Sequence, residues 1–134
     1  MGVKSRIGCR NHFEMAKILL VEDDENLSET VSDWLTYQEH VVETAHSGFE
    51  AVEQLECSLF DLIILDWNLP GIEGPDICRK FRAGGGTTPI IMLTGMDSST
   101  EKRACLDAGA NDYLKKPFKL KDLSVKLEQY LSQQ

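Results

Sequence analysis

The chain has 134 residues, 42% of them hydrophobic and 27% charged, and a formal net charge of -8. That length fits one core with little left for a second, and the balance is that of a folded chain, not a disordered one. The acidity disfavours direct binding to nucleic acid or an anionic membrane, and no apolar run approaches the ~20 residues of a membrane-spanning helix.

The opening stretch MGVKSRIGCRNHFE lacks the apolar middle of an export signal. MAKILLVEDD, beginning at Met15, reads as a natural start. Residues 1–14 are therefore expected to be an upstream or vector-derived extension, and 15–134 the domain. Of four cysteines, Cys9, Cys57, Cys78 and Cys105, none forms a CxxC pair. The three in the body lie in apolar, helix-like surroundings and are expected to be buried free thiols, as suits a reducing cytoplasm.

From Lys17 onward, short aliphatic runs alternate with amphipathic stretches. KILLV (Lys17 to Val21) predicts the first strand, and Leu27, Val31 and Leu35 share one face of the helix that follows. VVETA (Val41 to Ala45) predicts the second strand, with Val52 and Leu55 on the next helix. DLIIL (Asp61 to Leu65) and PIIML (Pro89 to Leu93) are apolar almost throughout, as parallel strands covered on both faces should be. Ile77 and Phe81 mark the helix between them, and Gly84 to Gly86 a loop. The fourth helix carries a capping box from Ser98 to Glu101 and stops at Gly109. A short fifth run ends at Tyr113 and Leu114, and Leu123, Leu127 and Leu131 stripe the last helix.

Such alternation implies right-handed crossovers and an α/β three-layer sandwich. Five strands and five helices of this size favour the flavodoxin-like order 2-1-3-4-5 for the parallel sheet, with ligands beyond the carboxyl ends of the strands. Glu22, Asp23 and Asp24 follow strand 1, and Asp66 through Gly71 follow strand 3. Strand 4 ends at Thr94-Gly95, and Lys115, Lys116, Pro117 and Phe118 follow strand 5.

Carboxylates crowded on one edge repel unless a cation binds, and hard oxygen ligands suit Mg²⁺, with Mn²⁺ as a substitute. A metal, an ammonium and a hydroxyl around a nucleophilic carboxylate supply what phosphoryl transfer needs. Singly, these residues have ordinary explanations. Acids after a strand often cap the next helix, the expected part of Asp24; an Asp near a Pro-Gly turn, a Thr ending a strand or a Lys before proline is commonly structural. Their coincidence at successive strand ends favours the functional reading.

The segments ILLVEDD, LIILDWNLPG, IIMLTG and GANDYLKKPF, from about Lys17 to the C-terminus, resemble the receiver domains of response regulators in two-component signalling. The resemblance implies that Asp66 is the phosphoacceptor, loaded by a sensor histidine kinase or a histidine phosphotransfer protein. It implies that Asp23 ligates the metal directly, Glu22 acts through water, and Asp66 and the Asn68 backbone carbonyl complete the set. Thr94 and Lys116 match the groups that hold phosphoryl oxygens, Thr94 and Tyr113 the switch pair, and Gly95 a small residue that leaves access for the donor. A cis bond between Lys116 and Pro117 is implied as well, because the lysine must turn back into the pocket.

A haloacid-dehalogenase-type phosphatase would need a second carboxylate where Asn68 stands, and a cap domain that this length cannot hold. A flavodoxin-like cofactor binder would meet three carboxylates where phosphate should sit. No GxxxxGK[ST] segment is present, which removes a P-loop NTPase. The expectation is therefore a signalling receiver and not an enzyme in the ordinary sense. A standalone regulator is favoured over a receiver cut from a larger protein such as a transcription factor. Output is expected from the fourth helix, fifth strand and last helix, where Lys102, Asp107, Asp112, Lys121 and Lys126 could meet an output domain or pair across a symmetric dimer.

Overall fold

The computed structural model describes residues 15–95 and 98–132, so the expected extension over 1–14 lies outside the described residues, as does Cys9. Five strands alternate with five helices: β1 (Lys17–Val21), α1 (Glu25–Tyr37), β2 (Val41–Ala45), α2 (Gly48–Cys57), β3 (Leu62–Asp66), α3 (Gly74–Ala83), β4 (Ile90–Thr94), α4 (Ser99–Asp107), β5 (Asp112–Lys115) and α5 (Leu120–Leu131). All neighbours in the sheet are parallel, in the expected order β2-β1-β3-β4-β5.

The strand pleat sorts the core into two layers. Leu19, Val21, Ile63, Leu65, Ile90 and Met92 face Ala51 of α2, Ile77 and Cys78 of α3 and Cys105 of α4. Their alternate neighbours Ile18, Leu20, Leu62, Ile64, Ile91 and Leu93 face Val31 and Leu35 of α1 and Leu123, Leu127 and Leu131 of α5. Every residue of β3 and β4 is buried, as their unbroken apolar runs require. Each fully buried Leu or Ile side chain contributes roughly 1.5–3 kcal/mol of transfer free energy.

Helix starts follow local chemistry. Asp24 caps α1 by accepting from the Asn26 and Leu27 amides at 3.0 and 3.2 Å. Ser47 and Ser98 do the same for the Glu50 and Glu101 amides, each at 3.2 Å, which is the serine half of the expected capping box at Ser98. After α4, Gly109 turns the chain with φ of 111°, a region closed to most L-residues.

Three expectations are modified. Both central strands run one residue later than the apolar pattern implied: β4 starts after Pro89, which has no amide to give the ladder, and Asp66 and Thr94 extend the far ends. The register pairs Asp66 with Leu93, so Asp66 is the last residue of its strand and not a loop residue, while Thr94, paired with Lys115, ends β4 as expected. Cys57 is exposed, unlike buried Cys78 and Cys105, because it closes α2 on the side away from the sheet. The Lys116-Pro117 bond is cis, as expected.

Candidate functional site

The β1–β3 junction is where the chain reverses its direction of winding across the sheet, and there the strands end in charge. Glu22 follows β1 directly and is 1% exposed; Asp66, the last residue of β3, is 3% exposed. Asp23 is exposed beside them, and one oxygen from each of the three carboxylates lies within 4.8 Å of the others. Thr94 closes β4 at 1% exposure. Lys116, beyond β5, reaches back so that its Nζ lies 3.0 Å from Glu22 Oε1 and 3.2 Å from Asp66 Oδ1. Residues separated by up to 94 positions thus share one ion-pair cluster.

The cluster is electrostatically loaded. Burial and then the Glu22 charge push the Asp66 carboxyl from 3.8 up to about 6, against the opposing pull of Lys116. Burial alone would depress the Lys116 ammonium, yet its bond to Glu22 and the two carboxylate charges hold it above its ordinary value. A hard cation relieves this crowding, and the three oxygens are spaced to share one.

A pH dependence follows. Folded Asp66 keeps its proton to higher pH than unfolded Asp66, so the folded chain binds more protons in the window between 3.8 and about 6. Stability without metal should therefore fall as pH rises through that window and level off above it, by on the order of 2–3 kcal/mol. Urea titrations of the wild type and Asp66→Asn across this range should diverge by that amount. Parallel curves would contradict the assignment.

The other expected residues lie around this edge. Trp67 donates its amide to Leu93 O at 2.8 Å and accepts from the Gly74 amide at 2.9 Å, which fixes the start of the loop after Asp66. Asn68 is exposed on that loop, and Gly95 is open, with no atom within 4 Å of where its Cβ would stand. Tyr113 sits half-buried on β5, with the Lys102 ammonium 5.4 Å from its ring centre. Of the charges expected to face a partner, Asp112 and Lys126 instead pair with each other at 3.0 Å.

Several residues that matter here escaped the sequence reading. His46, just past β2, places Nδ1 2.9 Å from the Glu22 carbonyl oxygen. Arg82, at the end of α3, donates to the carbonyls of Gly109, Gly86 and Thr88 and to Asn111 Oδ1. Tyr130 donates to Asn111 O and Asp112 Oδ2. Only His46 had a usable signal: its place at a strand end on the same sheet edge.

Fold and site together define a class: a doubly wound α/β domain with an acidic site and one lysine at its switch point. The family model for the response regulator receiver domain matches residues 18–128, and the chain belongs to that family. It is 40% identical over 115 residues to response regulator MprA of Mycobacterium ulcerans (strain Agy99), covering 86% of this chain and 50% of the relative. The chain thus spans about half the length of the curated relatives it matches. Among solved structures, the chemotaxis protein CheY4 of Vibrio cholerae superposes with a TM-score of 0.82 at 35% identity, covering 88% of this chain and 100% of that one. The receiver domain of sensor histidine kinase PA1611 from Pseudomonas aeruginosa PAO1 gives 0.81 at 33% identity, covering 89% and 99%. That protein holds a magnesium ion coordinated in its active site cleft. Among the described residues, no helix is long and apolar enough to cross a membrane.

Proposed function

We propose that Asp66 accepts a phosphoryl group from a sensor histidine kinase or a histidine phosphotransfer protein. The observation that carries this is the placement of Asp66 at a strand end between two further carboxylates and the Lys116 ammonium. An Asp66 carboxylate oxygen attacks phosphorus; the new P–O bond forms as the bond to the donor's imidazole nitrogen breaks, and that nitrogen leaves with its electron pair. Lys116 balances charge on the phosphoryl oxygens, and Thr94 offers its hydroxyl to one of them. Glu22, Asp23, Asp66 and the Asn68 carbonyl would hold Mg²⁺, or Mn²⁺ in its place, which supplies charge neutralisation when bound. The site fits such an ion because its carboxylates converge and Asp66 is driven toward protonation without one.

The domain is itself the phosphoryl acceptor in a cytoplasmic relay, not a turnover catalyst, and promotes only its own loading and slow hydrolysis. Thr94, drawn toward the phosphoryl group, would vacate space for Tyr113, shifting a pre-existing equilibrium of the α4-β5-α5 face. Exposed Leu106 and Val125 lie on those helices and give that face apolar area for an output domain or a second copy. Residues 15–134 make up the receiver.

The test is incubation with acetyl phosphate and Mg²⁺, borohydride reduction of the acyl phosphate, and peptide mapping. One reduced side chain per chain, formed as hydride displaces phosphate, should map to Asp66 and vanish in Asp66→Asn. Label at the wild-type level in that variant would overturn the assignment.

A further inference from the structure

The β1–β2 ladder ends unusually. The Glu22 amide still donates to Ala45 O at 3.0 Å, as a parallel ladder requires. Its carbonyl, however, meets the His46 imidazole at 2.9 Å. A carbonyl oxygen only accepts, so Nδ1 carries the proton and donates. His46 is held in turn: its backbone amide donates to Glu50 Oε1, while the Glu50 amide donates to Ser47 Oγ. The cap that starts α2 therefore also orients the ring that reaches Glu22.

The peptide plane explains why this matters. The Glu22 carbonyl, the Asp23 amide and the Asp23 Cα share one rigid plane. Holding that oxygen fixes where the Asp23 side chain begins. Glu22 is already tied by Lys116 and by the Asp24 amide, at 3.0 and 3.1 Å, whereas Asp23 is the exposed member of the acidic trio. The same helix start also touches the loop that follows Asp66. Gly48 donates to Pro70 O at 3.0 Å, and a Cβ on Gly71 would stand 2.6 Å from the Phe49 ring. One structural element thus grips the two loops that carry Asp23 and Asn68.

We infer that His46 is a positioning residue for the cation site, setting Asp23 relative to Asp66 through the Glu22–Asp23 peptide. This deepens the proposed function and rests on its reading of the carboxylate trio as a divalent-cation site. His46 touches neither the cation nor the phosphoryl group.

The experiment titrates Mg²⁺ alone into the full chain, followed by the emission of Trp67, with thermal unfolding measured in parallel. His46→Ala should weaken Mg²⁺ binding by about tenfold, the low end of what outer-shell substitutions cost. Asparagine places its amide nitrogen where the histidine has Nδ1, so His46→Asn should restore affinity to within about twofold, keeping the donor. Both variants should melt close to the wild type. Wild-type affinity in His46→Ala would overturn the inference. So would equal losses in both variants, or losses that track a lowered melting temperature, since either marks a merely structural role. A wild-type chain that binds no Mg²⁺ would instead overturn the cation reading of the site, and this inference with it.

Discussion

Replacing Lys116 with methionine is expected to destabilise the metal-free protein by about 2–3 kcal/mol near neutral pH and to tighten Mg²⁺ binding. The ammonium contacts two carboxylates whose side chains are 1% and 4% exposed, while it is itself 25% exposed. Methionine keeps most of the apolar stem, so the change isolates the charge. Removing one partner of a buried pair costs about 3–5 kcal/mol, and the partial exposure of Lys116 places this case below that range. The loss should be largest above about 6, where Asp66 is ionised, and shrink in acid as its proton returns. Mg²⁺ would no longer compete with a fixed positive charge, so affinity should rise by at least about tenfold. Urea midpoints with and without Mg²⁺ measure both effects. An unchanged metal-free midpoint, or weaker Mg²⁺ binding, would show that Lys116 does not serve as the counter-ion of this cluster.

Arg82→Ala should cost a similar amount, about 2–3 kcal/mol, by a different route. The guanidinium bonds Gly109 O at 2.9 Å, Gly86 O at 3.1 Å, Thr88 O at 2.8 Å and Asn111 Oδ1 at 2.8 Å. Asn111 Oδ1 also accepts the Ile90 amide at 2.9 Å, so the network pins the start of β4. The α3–β4 and α4–β5 loops are thereby tied to the end of α3. A hydrogen bond to a charged group contributes roughly 1.5–3 kcal/mol, and water can replace part of it at these half-exposed positions. Lysine offers a point charge in place of a planar fork, so Arg82→Lys should recover less than half of the loss. The check is the urea midpoint at unchanged slope, together with faster amide exchange at Ile90. Full recovery in the lysine variant would mean that charge alone matters there.

Much of the architecture was legible in the residues because local and global preferences agree. The unbroken runs in β3 and β4 can be satisfied only by burial on both faces, and the helices between them carry one apolar stripe each. With five such units, chain handedness leaves few sheet orders, and the expected one is found. The acidic site was legible for the same reason: strand order brings Glu22, Asp23, Asp66, Thr94 and Lys116 to one edge. The start of β4 slipped by one residue because apolar pattern marks burial, whereas the ladder needs amides that can donate, and Pro89 cannot. Asp66 was missed as a strand end because a polar residue breaks the apolar pattern without breaking the ladder. Cys57 was misread because its neighbours suggested a core face, and only the packing of α2 decides which side of the helix meets the sheet.

What the sequence determined by itself is therefore the fold class and the residue types gathered at the switch point, since hydrophobic period and chain order are local properties. Tertiary structure alone decided the partners: that Lys116 bridges Glu22 and Asp66, that His46 takes the Glu22 carbonyl, and that Arg82 holds the α4–β5 loop at Gly109. Those bonds join residues 24 to 94 positions apart, and their donors could have served as solvated surface groups anywhere else. Direction and distance select among polar partners, and neither exists until the backbone has brought the groups together.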